Sequence, residues 1–323
     1  MKVLVTGGAG YIGSQMVLTL LEAGHEPIVV DDLSTGQKAN THFAPFYQIN
    51  INDRDRLSQL FQQEHFDVVM HFAAFIEVGE SVKKPGKYYQ NNFLNTLSLL
   101  EVMRMHRVNQ LIFSSTAAIF GEPEYTPADE KHPKNPMNPY GSSKLMCEML
   151  LNDYDIAYGI RSVSLRYFNA SGADPLARTG YRVEKASHLI PAVLQAALGK
   201  RDHVEIFGRD YDTKDGTCVR DYIHVVDLCG AHLLAMDYLA KHGKTRQFNL
   251  GNGAGYSVQQ VVDVGRKVTG KNIIAIDAPR RAGDPAKLIA DSTVIKKELN
   301  WKPQYPELEM IMQHAWLWEQ KQI

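Results

Sequence analysis

Tyr140 and Lys144 stand four residues apart, directly after Asn138-Pro139, at the head of an amphipathic stretch from Tyr140 to Tyr158. Proline suits the first position of a helix, so phenol and ammonium lie one turn apart on one face. An ammonium near a phenol favours the phenolate and lowers a pKa that starts at about 10. Tyr140 is therefore a candidate general base near neutral pH. A third group belongs with this pair. The run Leu111-Ile-Phe-Ser-Ser-Thr reads as a strand whose carboxyl end carries the hydroxyls of Ser114, Ser115 and Thr116. Thr116 could hydrogen-bond a reacting alcohol and pass its proton to Tyr140. Ser115 stays open between a role there and simple capping of the strand.

A second chemical signature opens the chain. Gly7-Gly8-Ala9-Gly10-Tyr11-Ile12-Gly13-Ser14 follows the apolar run Val3-Leu4-Val5 and leads into an amphipathic stretch, Ile12 to Ala23. A strand that turns on glycines into a helix offers unpaired N–H groups, and the positive end of the helix dipole, to an anion. With no side chains at Gly7, Gly10 and Gly13, a pyrophosphate can approach the backbone closely. The next strand, Pro27 to Val30, ends in Asp31, about 20 residues past the glycines, where a carboxylate accepts both ribose hydroxyls of an adenosine. Asp32 adds a second negative charge and no arginine is near, so a 2′-phosphate would be repelled. The expected cofactor is NAD rather than NADP, with Lys144 donating to its nicotinamide ribose.

These groups need a frame. Strand candidates are Val3–Thr6, Pro27–Asp31, Phe46–Asn50, Val68–Ala73, Gln110–Ser115 and Ser162–Tyr167, alternating with helical patterns at Ile12–Ala23, Arg54–Glu64, Gly86–Met105 and Tyr140–Tyr158. Near-continuous apolar strands suit a parallel sheet covered on both faces. The expected fold is α/β, a Rossmann-type doubly wound parallel sheet with ligands at the carboxyl ends of its strands. After residue 170 the rhythm breaks. Segments rich in Gly, Asp, Arg and Lys (Ser171–Lys185, Gly208–Arg220, Pro279–Asp284) interrupt short helices and strands. Residues 1–170 are thus read as the dinucleotide-binding domain and 171–323 as a smaller C-terminal substrate-binding lobe. Val219–His224 and Phe248–Gly251 are candidates for late elements of the sheet.

Bulk properties narrow the function. The 323 residues carry 35 Lys+Arg against 36 Asp+Glu, a net charge of −1, with no basic stripe, so neither nucleic acid nor an anionic membrane is an expected partner. No apolar run approaches the ~18 residues of a membrane span, and the opening Met-Lys-Val-Leu-Val-Thr leaves no room for a signal peptide. Cys147, Cys218 and Cys229 form no C-x-x-C pair, and the twelve histidines make no metal motif, so reduced thiols, a cytoplasmic location and no metal are expected.

The chain closely resembles the extended short-chain dehydrogenase/reductases, and within them the enzymes that epimerise UDP-sugars at C4. The resemblance spans essentially the whole sequence. It rests on Val5-Thr-Gly-Gly-Ala-Gly-Tyr-Ile-Gly-Ser, His71-Phe-Ala-Ala, Tyr88-Tyr-Gln-Asn-Asn, Ser114-Ser-Thr-Ala-Ala-Ile-Phe-Gly, Leu165-Arg-Tyr-Phe-Asn-Ala-Ser-Gly, and the long run from Phe207 through Arg220-Asp-Tyr-Ile-His-Val. It implies that Phe72, Ala73, Ala74, Asn92, Lys144 and Phe168 surround NAD, with Tyr11, Ile12, Asn50 and Ile51 completing the adenosine side. It implies that Asn169, Leu189, Phe207, Arg220, Arg281 and Asp284 meet UDP, where arginine forks suit a diphosphate. Read without that motif, Arg220 and Arg281 would be surface ion pairs with neighbours such as Asp221 or Asp284. The implied reaction takes a proton from the C4 hydroxyl through Tyr140 and Thr116, oxidises C4, lets the flat 4-keto sugar swing over, and reduces its other face. A homodimer built on the helices at Gly86–Met105 and Tyr140–Tyr158 is also implied.

Three positions depart from the family pattern. Asn50 replaces an Asp near the adenine, Ile76 replaces a Lys near the cofactor, and Leu288 occupies a place facing the hexose where size controls entry of an N-acetyl group. UDP-N-acetylhexosamine and UDP-pentose epimerases therefore remain alternatives to the UDP-galactose/UDP-glucose reaction. Dehydratases of the superfamily resemble one another in an Asp-Glu pair just after the threonine, and decarboxylases tend to keep the Glu, whereas here Ala117 and Ala118 can transfer no proton. A non-catalytic NAD sensor would be expected to lose Tyr140 or Lys144, and both are retained.

Overall fold

The computed structural model describes residues 1–184, 186–281 and 284–322. Lys185 and residues 282–283, inside two of the interrupting segments, lie outside them. The strands β1 (Lys2–Thr6), β2 (Glu26–Asp31), β3 (Phe46–Gln48), β4 (Val68–His71), β5 (Gln110–Thr116) and β6 (Arg161–Tyr167), with a seventh strand at Arg246–Leu250, form one parallel sheet. Its order is β3-β2-β1-β4-β5-β6-seventh, with the reversal at β1. In doubly wound sheets of this kind the ligand crevice lies outside the carboxyl ends of the strands on either side of that reversal, here β1 and β4.

The sheet is buried on both faces because its strands alternate between two apolar cores. Val3, Val5 and Ile112 face one cluster with Met16, Leu20 and Leu228. Leu4, Leu111 and Phe113 face the other with Leu57, Leu60, Met103 and Leu151. The first cluster is covered by α1 (Tyr11–Glu22), the second by α2 (Arg54–Glu64). Asp53 caps α2, its carboxylate accepting from the N–H of Arg56 at 3.1 Å.

The helix expected at Gly86–Met105 is not one helix. After α3 (Val78–Lys83), α4 (Pro85–Tyr88) passes into a π-helical turn at Tyr89–Leu94, and only then into α5 (Asn95–Met105). Apolar spacing carries no sign of one extra residue in a turn, so periodicity joined what the backbone divides. By contrast α6 (Pro139–Tyr158) starts where the proline places it, with the Asn138 side chain accepting from the N–H of Gly141 at 2.9 Å. It ends at Gly159 in the left-handed conformation.

The late elements divide as well. Phe248–Leu250 of the expected Phe248–Gly251 element falls on the seventh strand, which ends before Gly251 and pairs with β6 from Arg246↔Val163 to Leu250↔Tyr167. Val219–His224 does not enter the main sheet. Val219–Arg220 pairs with Tyr256–Ser257 and Lys287–Leu288, and Tyr222–His224 pairs with Asn169–Ser171. Asp221 between them explains the break. Fully buried, its carboxylate accepts from the N–H groups of Asn252 (2.9 Å), Gly253 (2.9 Å) and Ala290 (3.1 Å), turning the chain where a strand would continue. A third apolar core joins α7 (Leu189–Ala197) to the helices at Val258–Thr269 and Leu308–Lys321. Across the sheet, α8 (Val225–His242) lies beside α1. Among the described residues, no helix is long and apolar enough to cross a membrane and no cluster of His, Cys, Asp and Glu could hold a metal.

Candidate active site

The glycine turn leaves no space for side chains. Gly7 has φ +75°, and a Cβ on it would lie 2.5 Å from the backbone nitrogen of Ala73. One on Gly13 would lie 2.1 Å from the Gly7 carbonyl oxygen. Gly10 is the N-cap of α1, and its side-chain-free approach leaves the first N–H groups of the helix open. Asp31, buried at the end of β2, accepts from Ala9 N–H at 3.1 Å and Leu33 N–H at 2.8 Å. Asp32 accepts from Asn50 Nδ2 at 2.8 Å, so the amide at this departure faces a carboxylate. Ile51 is buried in the core beneath, and Ile76 is exposed. Tyr11 and Ile12 are half-buried. The Tyr11 hydroxyl donates to Gly172 O at 2.7 Å, which ties the glycine turn to the chain after Asn169.

Phe72 continues β4 past its last residue through a bond from its N–H to Thr6 O at 2.9 Å. Ala73 lies against the glycine turn, and Ala74 follows, half-buried. Asn92, in the π-helical turn, is held on both sides. Its side chain accepts from Phe75 N–H at 2.9 Å and donates to Phe75 O at 3.0 Å and Ser143 Oγ at 3.1 Å. Its carbonyl accepts from the Thr96 hydroxyl at 2.6 Å. That direction requires His71 to donate from Nε2 to Thr96 (2.9 Å) and accept at Nδ1 from Thr6 (2.6 Å), the neutral ring. Burial pushes His71 down to about 3, in agreement.

Thr116, Tyr140 and Lys144 converge at the carboxyl edge of β5. The Thr116 hydroxyl oxygen accepts from Ala118 N–H at 3.1 Å, which leaves its proton to donate. Burial pushes the Tyr140 phenol above its ordinary range, while a hydrogen bond with Thr116 works the other way. Lys144 is 3% exposed, donates to Ser114 O at 3.0 Å, and lies 4.8 Å from the centre of the Phe113 ring. Burial pushes it down to about 8. The expectation of a phenol already lowered by its lysine is therefore not met in this structure, because burial raises the phenol and the Lys144 ammonium is turned toward the Ser114 carbonyl. Ser115 leaves the site altogether. Side chains alternate along a strand, so its hydroxyl points to the opposite face and donates to Glu148 Oε1 at 2.6 Å. Ser114, on the Thr116 side, bonds the Tyr167 hydroxyl.

In the C-terminal half, Arg220 pairs with Asp284 at 3.2 Å and donates to Pro285 O at 2.8 Å, the ion pair that a motif-free reading of these residues gives. Arg281 differs. It is exposed, makes no ion pair among the described residues, and its guanidinium lies 3.8 Å from the centre of the Phe207 ring. Asn169 uses its amide to donate to Asp221 O at 2.9 Å, Leu189 opens α7, and Phe168 packs with Leu288 against Ala117 and Phe120. Asp221, a candidate partner for these arginines by sequence, instead accepts from backbone N–H groups, and the buried pair Glu148–Arg166 is a structural member of this region that sequence reasoning missed. Glu148 stands four residues after Lys144 and Arg166 inside the Leu165–Gly172 motif, which was the available signal.

A family model described as GDP-mannose 4,6 dehydratase matches residues 4–314. The UDP-glucose 4-epimerase of Halalkalibacterium halodurans is 51% identical over 321 residues, covering 99% of this chain and 96% of that protein. A crystal structure of a UDP-glucose 4-epimerase superposes with a TM-score of 0.97 at 47% identity, over 100% of this chain and 98% of that one. Another, from Bifidobacterium longum in complex with NAD+ and UDP, gives a TM-score of 0.95 at 38% identity, over 99% of this chain and 98% of that one.

Proposed function

This chain belongs to the UDP-glucose 4-epimerase family of the extended short-chain dehydrogenase/reductases, and we propose that it interconverts UDP-galactose and UDP-glucose with NAD retained through turnover. The observation that carries this reading is the convergence of Thr116, Tyr140 and Lys144 on the strand edge beside a glycine cradle that any Cβ would fill. That cradle and the Asp31 carboxylate fit a dinucleotide. NAD, when bound, supplies a hydride acceptor and a positive ring that favours the phenolate of Tyr140.

Tyr140 takes the C4 hydroxyl proton, directly or through Thr116, and returns it after the 4-keto sugar has turned over. Lys144 holds positive charge at the phenolate. Arg220 and Arg281 hold the diphosphate, with Phe207 and Leu189 beside the uridine and Asp284 accepting from its ribose. Gripping the nucleotide and leaving the hexose loose spends binding energy on the end that does not react. Residues 1–170 form the dinucleotide half and 171–323 the UDP-sugar lobe, with Arg246–Leu250 returning to the sheet. Ala117 and Ala118 supply no second acid or base, which separates this site from a dehydratase.

Leu288, half-buried against Phe168 and Phe120, leaves more room than a tyrosine would, which favours some activity on N-acetylated UDP-sugars. Exposed Leu94 at the end of the π-helical turn, with Met105, Met149, Ile156 and Tyr158 along α5 and α6, supports a homodimer. Three buried free cysteines support a cytoplasmic location. Incubation of the purified protein with UDP-galactose and no added NAD is the test. UDP-glucose is the expected product, and a 4-keto-6-deoxy sugar alone would overturn the reading.

A further inference from the structure

Glu148 and Arg166 form an ion pair whose side chains are 4% and 3% exposed. The guanidinium engages the carboxylate as a fork, Nε to Oε1 at 2.9 Å and Nη2 to Oε2 at 2.6 Å. Ser115 Oγ adds a bond to Oε1 at 2.6 Å, and Arg166 lies over the Phe120 ring at 5.8 Å. Each member sits next to a working residue. Ser115 precedes Thr116 on β5. Glu148 is one turn beyond Lys144 on α6. Arg166 precedes Tyr167 on β6, and the Tyr167 hydroxyl bonds Ser114, whose carbonyl holds Lys144.

Stability is a poor reason for such a pair. Taking two charges out of water costs about what their attraction returns, and apolar residues of similar volume often serve as well. A two-pronged Arg–carboxylate contact supplies direction instead, because it is satisfied at one mutual orientation of the elements that carry it. Here those elements are β5, β6 and α6, joined one layer beneath the reacting groups. None of the three side chains reaches the alcohol, since Ser115 faces away from Thr116.

We propose that the Ser115–Glu148–Arg166 network is a positioning device for the epimerisation, setting the distance and angle between the Thr116 hydroxyl and the Tyr140 phenol. The inference rests on the roles given to Thr116, Tyr140 and Lys144 above, which turnover of Tyr140→Phe tests separately. Removing one charge alone would strand the other, so the informative variant replaces both, Glu148→Leu with Arg166→Met. Purified with its NAD, that variant keeps a cooperative melt, wild-type NAD content and a KM for UDP-galactose within about twofold, while kcat falls on the order of 10- to 100-fold. Ser115→Ala, which removes one bond and leaves the fork, lowers kcat a few-fold. Arg166→Lys, which keeps the charge without the fork, does not restore wild-type kcat. A folded double variant with undiminished kcat overturns the proposal, as does a parallel fall of kcat, substrate affinity and NAD content, the mark of a merely structural pair. If the double variant does not fold, Ser115→Ala decides, and wild-type kcat there overturns it.

Discussion

Gly141 follows the base in the first turn of α6, and its replacement by alanine tests how tightly that turn is docked. A Cβ there would lie 2.5 Å from Ala118 O and 3.0 Å from Pro136 Cβ. Ordinary contact begins at 3.4 Å, so the helix would have to withdraw by about 0.9 Å at the nearest point. Ala118 O is backbone, in the turn pinned by the Thr116–Ala118 bond, and cannot rotate aside. Tyr140, the adjacent residue, moves with the helix. Overpacking of this kind costs about 1–3 kcal/mol, offset in part by the roughly 1 kcal/mol that alanine gains over glycine in a helix. Net destabilisation is thus modest, about 0–2 kcal/mol. A displacement approaching 1 Å at the base costs far more in rate, on the order of 100-fold. Gly141→Ala should therefore melt within a few degrees of wild type, retain NAD, and lose about 100-fold in kcat. The assay couples UDP-glucose formation to UDP-glucose dehydrogenase and follows NADH. A variant with kcat within twofold of wild type would refute the docking argument.

Other outcomes follow from the same geometry. Because burial brings Lys144 down to about 8, its ammonium is lost as pH rises through that value, and kcat/KM should decline on the alkaline side; a rise continuing to about pH 9.5 would contradict this. Burial lowers His71 and His224 from 6.5 to about 3 and His232 to about 4, so the folded chain stays neutral there while the unfolded chain takes up protons. Stability from these three is present above pH 6.5 and drains below it, by up to about 4 kcal/mol per pH unit, visible as a falling midpoint in urea titrations between about pH 6.5 and 4. Arg281→Ala should raise KM for UDP-galactose about tenfold with little change in kcat, since it removes binding common to ground and transition states.

Much of this site was legible because its determinants are local. The strand–glycine–helix unit at Val3–Ser14 and the Asn138-Pro139 start of α6 are each specified by a few neighbouring residues, and both appear where spacing puts them. What escaped depends on contacts distant in sequence. The π-helical turn that carries Asn92 is anchored by Phe75 and Ser143, and no periodicity announces it. The break at Asp221 answers to backbone N–H groups of residues 252, 253 and 290. The state of Tyr140 turned on burial, which residue spacing does not report.

The central claim is that one phenol carries the proton in both half-reactions, and Tyr140→Phe tests it most directly. NAD content and UDP-galactose turnover are measured on the same preparation. NAD is expected at the wild-type level and turnover reduced by roughly a thousandfold or more, since a positioned acid–base group contributes about 100- to 10,000-fold. A folded, NAD-loaded variant that still forms UDP-glucose at near the wild-type rate would contradict it.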